Sequence, residues 1–324
     1  MKRVLITGGT GFLGSYIIKQ LLEREDLQHI VVPTTLLKNK TSLDLLDLKS
    51  DKINLITGDV RDFDFVQRMF SEYEFDTVFH LAAISEVRKC QNNAKLAFDT
   101  NITGTVNILE AARLFSNVKA VVVSSSDKAY GRCKLPYLED YPLNGKSIYE
   151  VSKSCVDLIA RSYFYNYDIP VVVTRCCNLY GGTDLNFSRV IPNTVKSILK
   201  NKAPTVWDGA QNFIREFLYV EDAANAYLTI AEKIDIAQGN AYNIGSGEKV
   251  TINDLVEMIL SKFAHNLQIE YPSRSFPEID NQYLDSSKIK RELGFTTSVD
   301  LNEGLEETIR TYKRLFEGEN NDYM

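Results

Sequence analysis

Short runs of consecutive apolar, largely β-branched residues alternate with amphipathic stretches through the first 178 positions of the chain. The runs read as strands at 3–7, 29–32, 54–57, 77–81, 120–124 and 171–175. Between them the apolar period lengthens to that of helices, at 15–24, 94–115 and 148–167. Strands without polar alternation are buried on both faces, and strand–helix alternation builds βαβ units. The pattern therefore predicts an α/β fold on a doubly wound parallel sheet. Beyond Asn178 the rhythm breaks: Gly181-Gly182-Thr183 reads as a loop, short strands and helices mix, and a last helix is expected at 301–316. This predicts a first domain over 1–178, with later returns of the chain to it, and a smaller mixed α/β domain over 179–324. No internal repeat or low-complexity segment is visible, and the polar tail from Gly318 to Met324 is expected to fray.

Composition changes this picture little. Of 324 residues, 44% are hydrophobic and 25% charged, ordinary globular usage with enough apolar material for a sizeable core. A net charge of −6 without any lysine/arginine block argues against a general nucleic-acid binder, although a few local arginines suffice for a nucleotide-sized anion. Met1-Lys2-Arg3 leads straight into a short apolar strand that glycines interrupt. Neither a signal peptide nor a membrane span is expected, and cytoplasm is the default. The five cysteines (Cys90, Cys133, Cys155, Cys176, Cys177) have neither metal-ligand nor disulfide spacing and read as buried free thiols; no metal is expected. His29, His80 and His265 are scattered, which disfavours a histidine-driven hydrolase.

Chemistry enters at the first strand–helix junction, Thr7-Gly8-Gly9-Thr10-Gly11-Phe12-Leu13-Gly14. Gly8, Gly11 and Gly14 are spaced by three and three, not the two and three of the standard dinucleotide fingerprint, but the physics is the same. Glycines let the backbone approach a pyrophosphate whose charge rests on the helix N-terminus. After the strand at 120–124 come Ser124-Ser125-Ser126-Asp127-Lys128-Ala129-Tyr130-Gly131, and then Tyr149 and Lys153, four apart on one helix face. Together they offer a hydroxyl, a carboxylate, an ammonium and a phenol, more acid–base equipment than plain alcohol oxidation requires.

These motifs resemble the extended short-chain dehydrogenase/reductase family of nucleotide-sugar epimerases and dehydratases, across nearly the whole chain. The resemblance implies a Rossmann-type first domain holding NAD or NADP, tightly bound and regenerated each cycle. The cofactor would be held by Gly8, Thr10, Gly11, Phe12, Leu13 and Gly14. Asp59-Val60 resembles the family's adenine-contacting segment. Leu81-Ala82-Ala83 resembles the strand-four segment beside the cofactor, and Asn101 a structural helix asparagine. The second strand ends in Pro33-Thr34-Thr35 without the carboxylate that an NAD-preferring site offers the ribose, and Lys38 and Lys40 follow. The resembled subfamily nevertheless uses NAD, so NAD and NADP both stay open.

In the resembled family the tyrosine takes a substrate hydroxyl proton as the carbon is oxidised. A phenol of ordinary pKa about 10 is a poor base, and a neighbouring lysine ammonium favours its ionised form. Tyr149, Lys153 and Ser126 take these roles by resemblance, Tyr149 and Lys153 also touching cofactor. Asp127-Lys128 resembles the Asp-Lys pair of CDP-glucose 4,6-dehydratases, where the related dTDP-glucose enzymes carry Asp-Glu and 4-epimerases carry small or neutral residues. It implies Asp127 as acid for loss of the C6 hydroxyl and Lys128 as base at C5. On the substrate side, Asn178 resembles a contact to the diphosphate. Arg189 and Arg215, in segments resembling the dehydratases, suit phosphates through their guanidinium forks. Arg274, near the similar segment Glu278-Ile279-Asp280-Asn281-Gln282-Tyr283-Leu284, is a further phosphate candidate, and Ser85 a hexose contact. Trp207 is read as packing. The expectation is a nucleoside-diphosphate-hexose 4,6-dehydratase, CDP-glucose favoured, with a nucleotide-sugar 4-epimerase as the alternative. A cofactor-binding sensor without turnover is disfavoured by the presence of Tyr149 and Lys153. An inverting dehydratase is disfavoured because such enzymes lack the tyrosine. Homodimerisation through 94–115 and 148–167 is expected by resemblance.

Overall fold

The structure, a computed structural model, describes residues 1–35, 41–264, 266–273 and 279–317. Seven strands form the main sheet: β1 (Arg3–Thr7), β2 (His29–Thr34), β3 (Ile53–Thr57), β4 (Thr77–His80), β5 (Ala120–Ser124), β6 (Val171–Cys176) and β9 (Ala241–Ile244). Their order is β3-β2-β1-β4-β5-β6-β9, and every pairing is parallel. Helices cover both faces, which is why the strands carry unbroken apolar runs. In β1, Val4 and Ile6 join one buried cluster and Leu5 the other; in β5, Val122 faces one way and Val121 and Val123 the other. The architecture is a Rossmann-type doubly wound α/β sheet with a smaller C-terminal domain.

That smaller part is built on a second sheet of β7 (Asn178–Tyr180), β8 (Ile214–Tyr219) and β10 (Lys249–Thr251), in the order β10-β8-β7. Helices Val190–Leu199, Ile252–Ser261 and Leu301–Glu317 pack over it around Val195, Leu255, Leu305 and Tyr312. Among the described residues no helix is long and apolar enough to cross a membrane. Strand order reverses at β1, whose neighbours are β2 and β4. Such a switch point opens a crevice at the carboxyl ends of the strands.

Two helices differ from the periodicity. The first begins at Phe12, not at 15, because Gly11 caps it in extended conformation and the glycine loop leads straight into its first turn. The stretch 94–115 is not one helix: Ala94–Phe98 and Gly104–Leu114 flank a wide π-turn at Asp99–Thr103. The turn aims Asn101 inward, where Oδ1 accepts from Ile84 N at 2.8 Å and Nδ2 donates to Ser152 Oγ at 2.9 Å. A side-chain demand 51 residues away in sequence overrides the local period. The tail from Gly318, Lys38, Lys40, His265 and Arg274 lie outside the described residues.

Candidate active site

A single cavity of about 1900 Å³ runs from the glycine loop across the C-terminal ends of β4, β5 and β6 to β8. That is roughly twice the usual upper range for one small ligand, room for two. Gly8, Thr10, Gly11, Phe12, Leu13 and Gly14 all line it. Gly8 adopts φ +72°, and a Cβ there would lie 2.9 Å from Ala82 N. A Cβ on Gly14 would meet Gly8 O at 2.5 Å. The loop thus folds tightly against the end of β4 and presents the N-terminus of helix Phe12–Leu22, the arrangement a pyrophosphate requires. Thr34, Thr35, Asp59 and Val60 line the adenosine side, and Leu81, Ala82 and Ala83 the middle. Asp59 is turned to Arg61, accepting from Nε at 2.9 Å. The residues fit a dinucleotide.

His80, at the end of β4, does no chemistry here. Its Nδ1 meets Thr7 Oγ1 at 2.7 Å and its Nε2 Thr105 Oγ1 at 3.0 Å, and burial with the nearby Lys153 charge pulls its pKa to about 3. It is a neutral brace between β1 and helix Gly104–Leu114.

Beside the cofactor crevice, β5 ends and the chain turns through a short 3₁₀ segment, Asp127–Tyr130, capped by Ser126 Oγ accepting from Lys128 N at 3.2 Å. Ser126, Asp127, Lys128, Tyr149 and Lys153 all line the cavity, so the structure brings the five together. Ser126 Oγ donates to Asp127 Oδ1 at 3.0 Å. Asp127 is 4% exposed, and among the described residues its Oδ2 has no hydrogen-bond partner. Burial raises its pKa against the lowering by Lys128, Ser126 and Arg215. A buried carboxyl with a bare oxygen is set to hold a proton.

Tyr149 sits in the first turn of helix Ile148–Tyr167, which starts with a Ser147/Glu150 capping box. Burial pushes its phenol up to about 12, assisted by the Asp127 charge and opposed by Ser126 and Arg189. Lys153, one turn on, donates to Ser124 O at 2.6 Å and is pulled down to about 8 by burial. The groups that favour the phenolate are therefore Ser126 and Arg189, while Lys153 is tied to the end of β5.

On the substrate side Ser85, Asn178, Arg189 and Arg215 also line the cavity, but with differing freedom. Arg189 is half-exposed and pairs with buried Asp184 at 2.9 Å. Asn178 Nδ2 donates to Glu216 O at 3.2 Å. Arg215 is 5% exposed, and its guanidinium donates to the carbonyls of Ile214, Asp280 and Ile279. It anchors the backbone as well as facing the cavity. Trp207, expected to serve packing, lines the cavity at 39% exposure. Sequence reasoning also missed Arg175 of β6. Fully buried, it forks onto Asp157 at 2.7 and 3.0 Å and donates to Tyr130 OH at 2.6 Å, locking the catalytic turn to the Tyr149 helix.

The family model described as GDP-mannose 4,6 dehydratase matches residues 5–308, almost the whole chain and both halves of this site. The chain belongs to that family. Its setting is the extended short-chain dehydrogenase/reductases, among nucleotide-sugar dehydratases and epimerases, and the cofactor is NAD(P). The dTDP-glucose 4,6-dehydratase of Salmonella typhimurium is 30% identical over 96% of this chain and 92% of its own length. A putative UDP-glucose 4-epimerase of Methanocaldococcus jannaschii is also 30% identical, over 96% and 98%. Among solved structures, a Streptomyces venezuelae dTDP-glucose 4,6-dehydratase with NAD bound aligns over 97% of this chain and 98% of its own, with TM-score 0.85 at 28% identity. A Bacillus cereus UDP-glucuronic acid 4-epimerase with NAD reaches TM-score 0.87 at 25% identity, covering 97% and 100%. The family member described here thus has relatives of both reaction types.

Proposed function

We propose that the chain is a nucleoside-diphosphate-hexose 4,6-dehydratase. The observation that carries this reading is Asp127, a carboxyl buried at the cavity wall with one bare oxygen and a raised pKa, next to the Lys128 amine. An epimerase exchanges hydrogen at one carbon and needs neither group. A dehydratase needs an acid for the C6 hydroxyl and a base for C5.

NAD(P), when bound, supplies reversible oxidation at C4 and reduction at C6, with no net consumption. The residues do the rest. Ser126 holds the C4 hydroxyl, and Tyr149 takes its proton, Ser126 and Arg189 offsetting part of the burial that holds the phenol up. The resulting C4 ketone acidifies C5–H. Lys128 takes that proton, and Asp127 gives its own to the C6 hydroxyl, which leaves as water. Lys128 returns the proton to C5 as C6 is reduced, giving a 4-keto-6-deoxy sugar. Tyr149 and Asp127 then regain their starting states through solvent. Burial raises the pKa of Asp127, the direction a proton donor needs.

Arg189 with Asn178 suits the diphosphate, and Trp207 the base. The Asp-Lys pair favours a CDP-linked glucose, while the relatives named above act on dTDP- and UDP-linked sugars. The test is incubation with CDP-, dTDP-, UDP- and GDP-hexoses, read by mass spectrometry. Loss of one water from the sugar is expected; an unchanged mass with inverted C4 would establish the 4-epimerase instead. We also infer a homodimer through helices Gly104–Leu114 and Ile148–Tyr167. Leu114, Leu158 and Tyr165 are 47, 56 and 66% exposed, the last two seven apart on one helical face.

A further inference from the structure

We propose that Gln282 is a positioning residue of the active centre, its side-chain carbonyl anchoring the Lys128 amine and so directing proton transfer at C5. The inference deepens the dehydratase reading and rests on it.

Residues 279–285 form a strap between β8 and the loop at Tyr137. Arg215 donates to the carbonyls of Ile279 and Asp280, and Asn281 Oδ1 accepts from Ile214 N at 3.0 Å. Gln282 N donates to Ile214 O, Tyr137 N to Tyr283 O, and Leu284 N to Glu216 Oε2. Asp285 closes the strap, donating to Tyr137 O and accepting from Asn243 Nδ2 at 3.1 Å. A segment held at both edges in this way fixes where its side chains point.

The side chain at 282 is 1% exposed. Burying a carboxamide is costly unless its groups are satisfied. Here Oε1 meets Lys128 Nζ at 3.5 Å, while Nε2 has no partner among the described residues. A glutamine kept for packing would be better placed as leucine or methionine. The contact sits at the outer limit of a hydrogen bond, as catalytic contacts do before a substrate tightens them. Lys128 needs such an anchor because a four-carbon stem has many rotamers. With one N–H held by Gln282, the amine is directed towards the cavity that Lys128 lines. The ionisable groups surrounding this turn include Asp127 itself, Tyr137, Tyr149 from its helix, Cys176 and Cys177 at the end of β6, and Arg215 and Glu216 from β8.

The test follows turnover in D₂O of whichever of CDP-, dTDP-, UDP- and GDP-linked glucose the wild-type protein dehydrates. Absorbance of reduced cofactor reports C4 oxidation, and deuterium at C5 reports the Lys128 step. Gln282→Met is expected to slow C5 exchange and water loss by roughly 10- to 100-fold, the cost of about 1 Å of misplacement, with C4 oxidation unchanged. Gln282→Glu keeps the shape but sets a carboxylate against the amine. C5 exchange is expected to slow at least as much as in Gln282→Met, again with C4 oxidation unchanged. Equal slowing of both steps in Gln282→Met, or undisturbed C5 exchange in either variant, would overturn the assignment. If the wild-type protein releases no water from any of the sugars, the dehydratase reading falls and takes this inference with it. Water loss that persists undiminished in the Gln282 variants removes only the inference.

Discussion

Lys153 is 4% exposed, and the folded protein must bury its ammonium with Ser124 O as its hydrogen-bonded acceptor. Its pKa falls from 10.5 to about 8. At about 1.4 kcal/mol per pH unit, the gap amounts to about 3 kcal/mol by which the buried ammonium disfavours folding at neutral pH. Lys153→Met removes the charge and keeps the stem, while Ser124 O loses its donor at a cost of about 1 kcal/mol. The net expectation is a gain of about 2 kcal/mol at pH 7, or about 3 °C in Tm for a chain of this length. The gain must depend on pH in one direction. Below about 8 the lysine is protonated in both folded and unfolded chains, so the wild-type penalty is complete. Between about 8 and 10.5 the unfolded chain binds more protons and wild-type stability rises with pH, so the advantage of the variant shrinks through zero and ends as a deficit of about 1 kcal/mol, the lost hydrogen bond alone. Thermal melts of nucleotide-stripped wild type and variant at pH 7, 8, 9 and 10 measure this, alongside loss of C4 oxidation in the variant. A Lys153→Met protein that melts lower than wild type at pH 7, or a difference that stays constant to pH 10, would refute the reasoning.

Other perturbations reach the remaining parts of the site. Asp127→Asn should abolish water loss by at least about 10²-fold while reduced cofactor still forms on substrate addition; intact dehydration would remove Asp127 as the acid. Trp207→Ala should raise the substrate KM roughly 10- to 100-fold through loss of about 1–3 kcal/mol of stacking, with kcat nearly unchanged, and an unaltered KM would return Trp207 to a packing role. Gly14→Ala forces a methyl to within 2.5 Å of Gly8 O, so nucleotide retained through gel filtration should be lost; full retention would contradict the tight loop. Leu158→Glu puts a charge on the exposed helical face and should convert a dimer to a monomer in sedimentation analysis, whereas a monomeric wild type would end that reading.

Local pattern carried the architecture because strand and helix periods, and the glycine loop, are short-range properties. The runs at Arg3–Thr7 and Ala120–Ser124 and the helix Ile148–Tyr167 stand in the structure at the bounds their periodicity predicts. That 126–128, Tyr149 and Lys153 meet at one cavity was legible too, since each motif lies within a few residues of a strand end or helix start. What the sequence left undetermined depends on partners distant in the chain. Asn101 breaks a helix to reach Ile84 and Ser152. Arg215 looked like a free phosphate fork until folding brought the carbonyls of Ile279 and Asp280 to it, 64 and 65 positions away. Trp207 became cavity wall because of its neighbours, and Gln282 met Lys128 across 154 positions. Residue types and short spacings determined what this protein can be made of and which chemistry it can attempt. Tertiary structure decided which polar groups are desolvated, paired or left bare, because burial and proton affinity are properties of the assembled surroundings and of no segment alone.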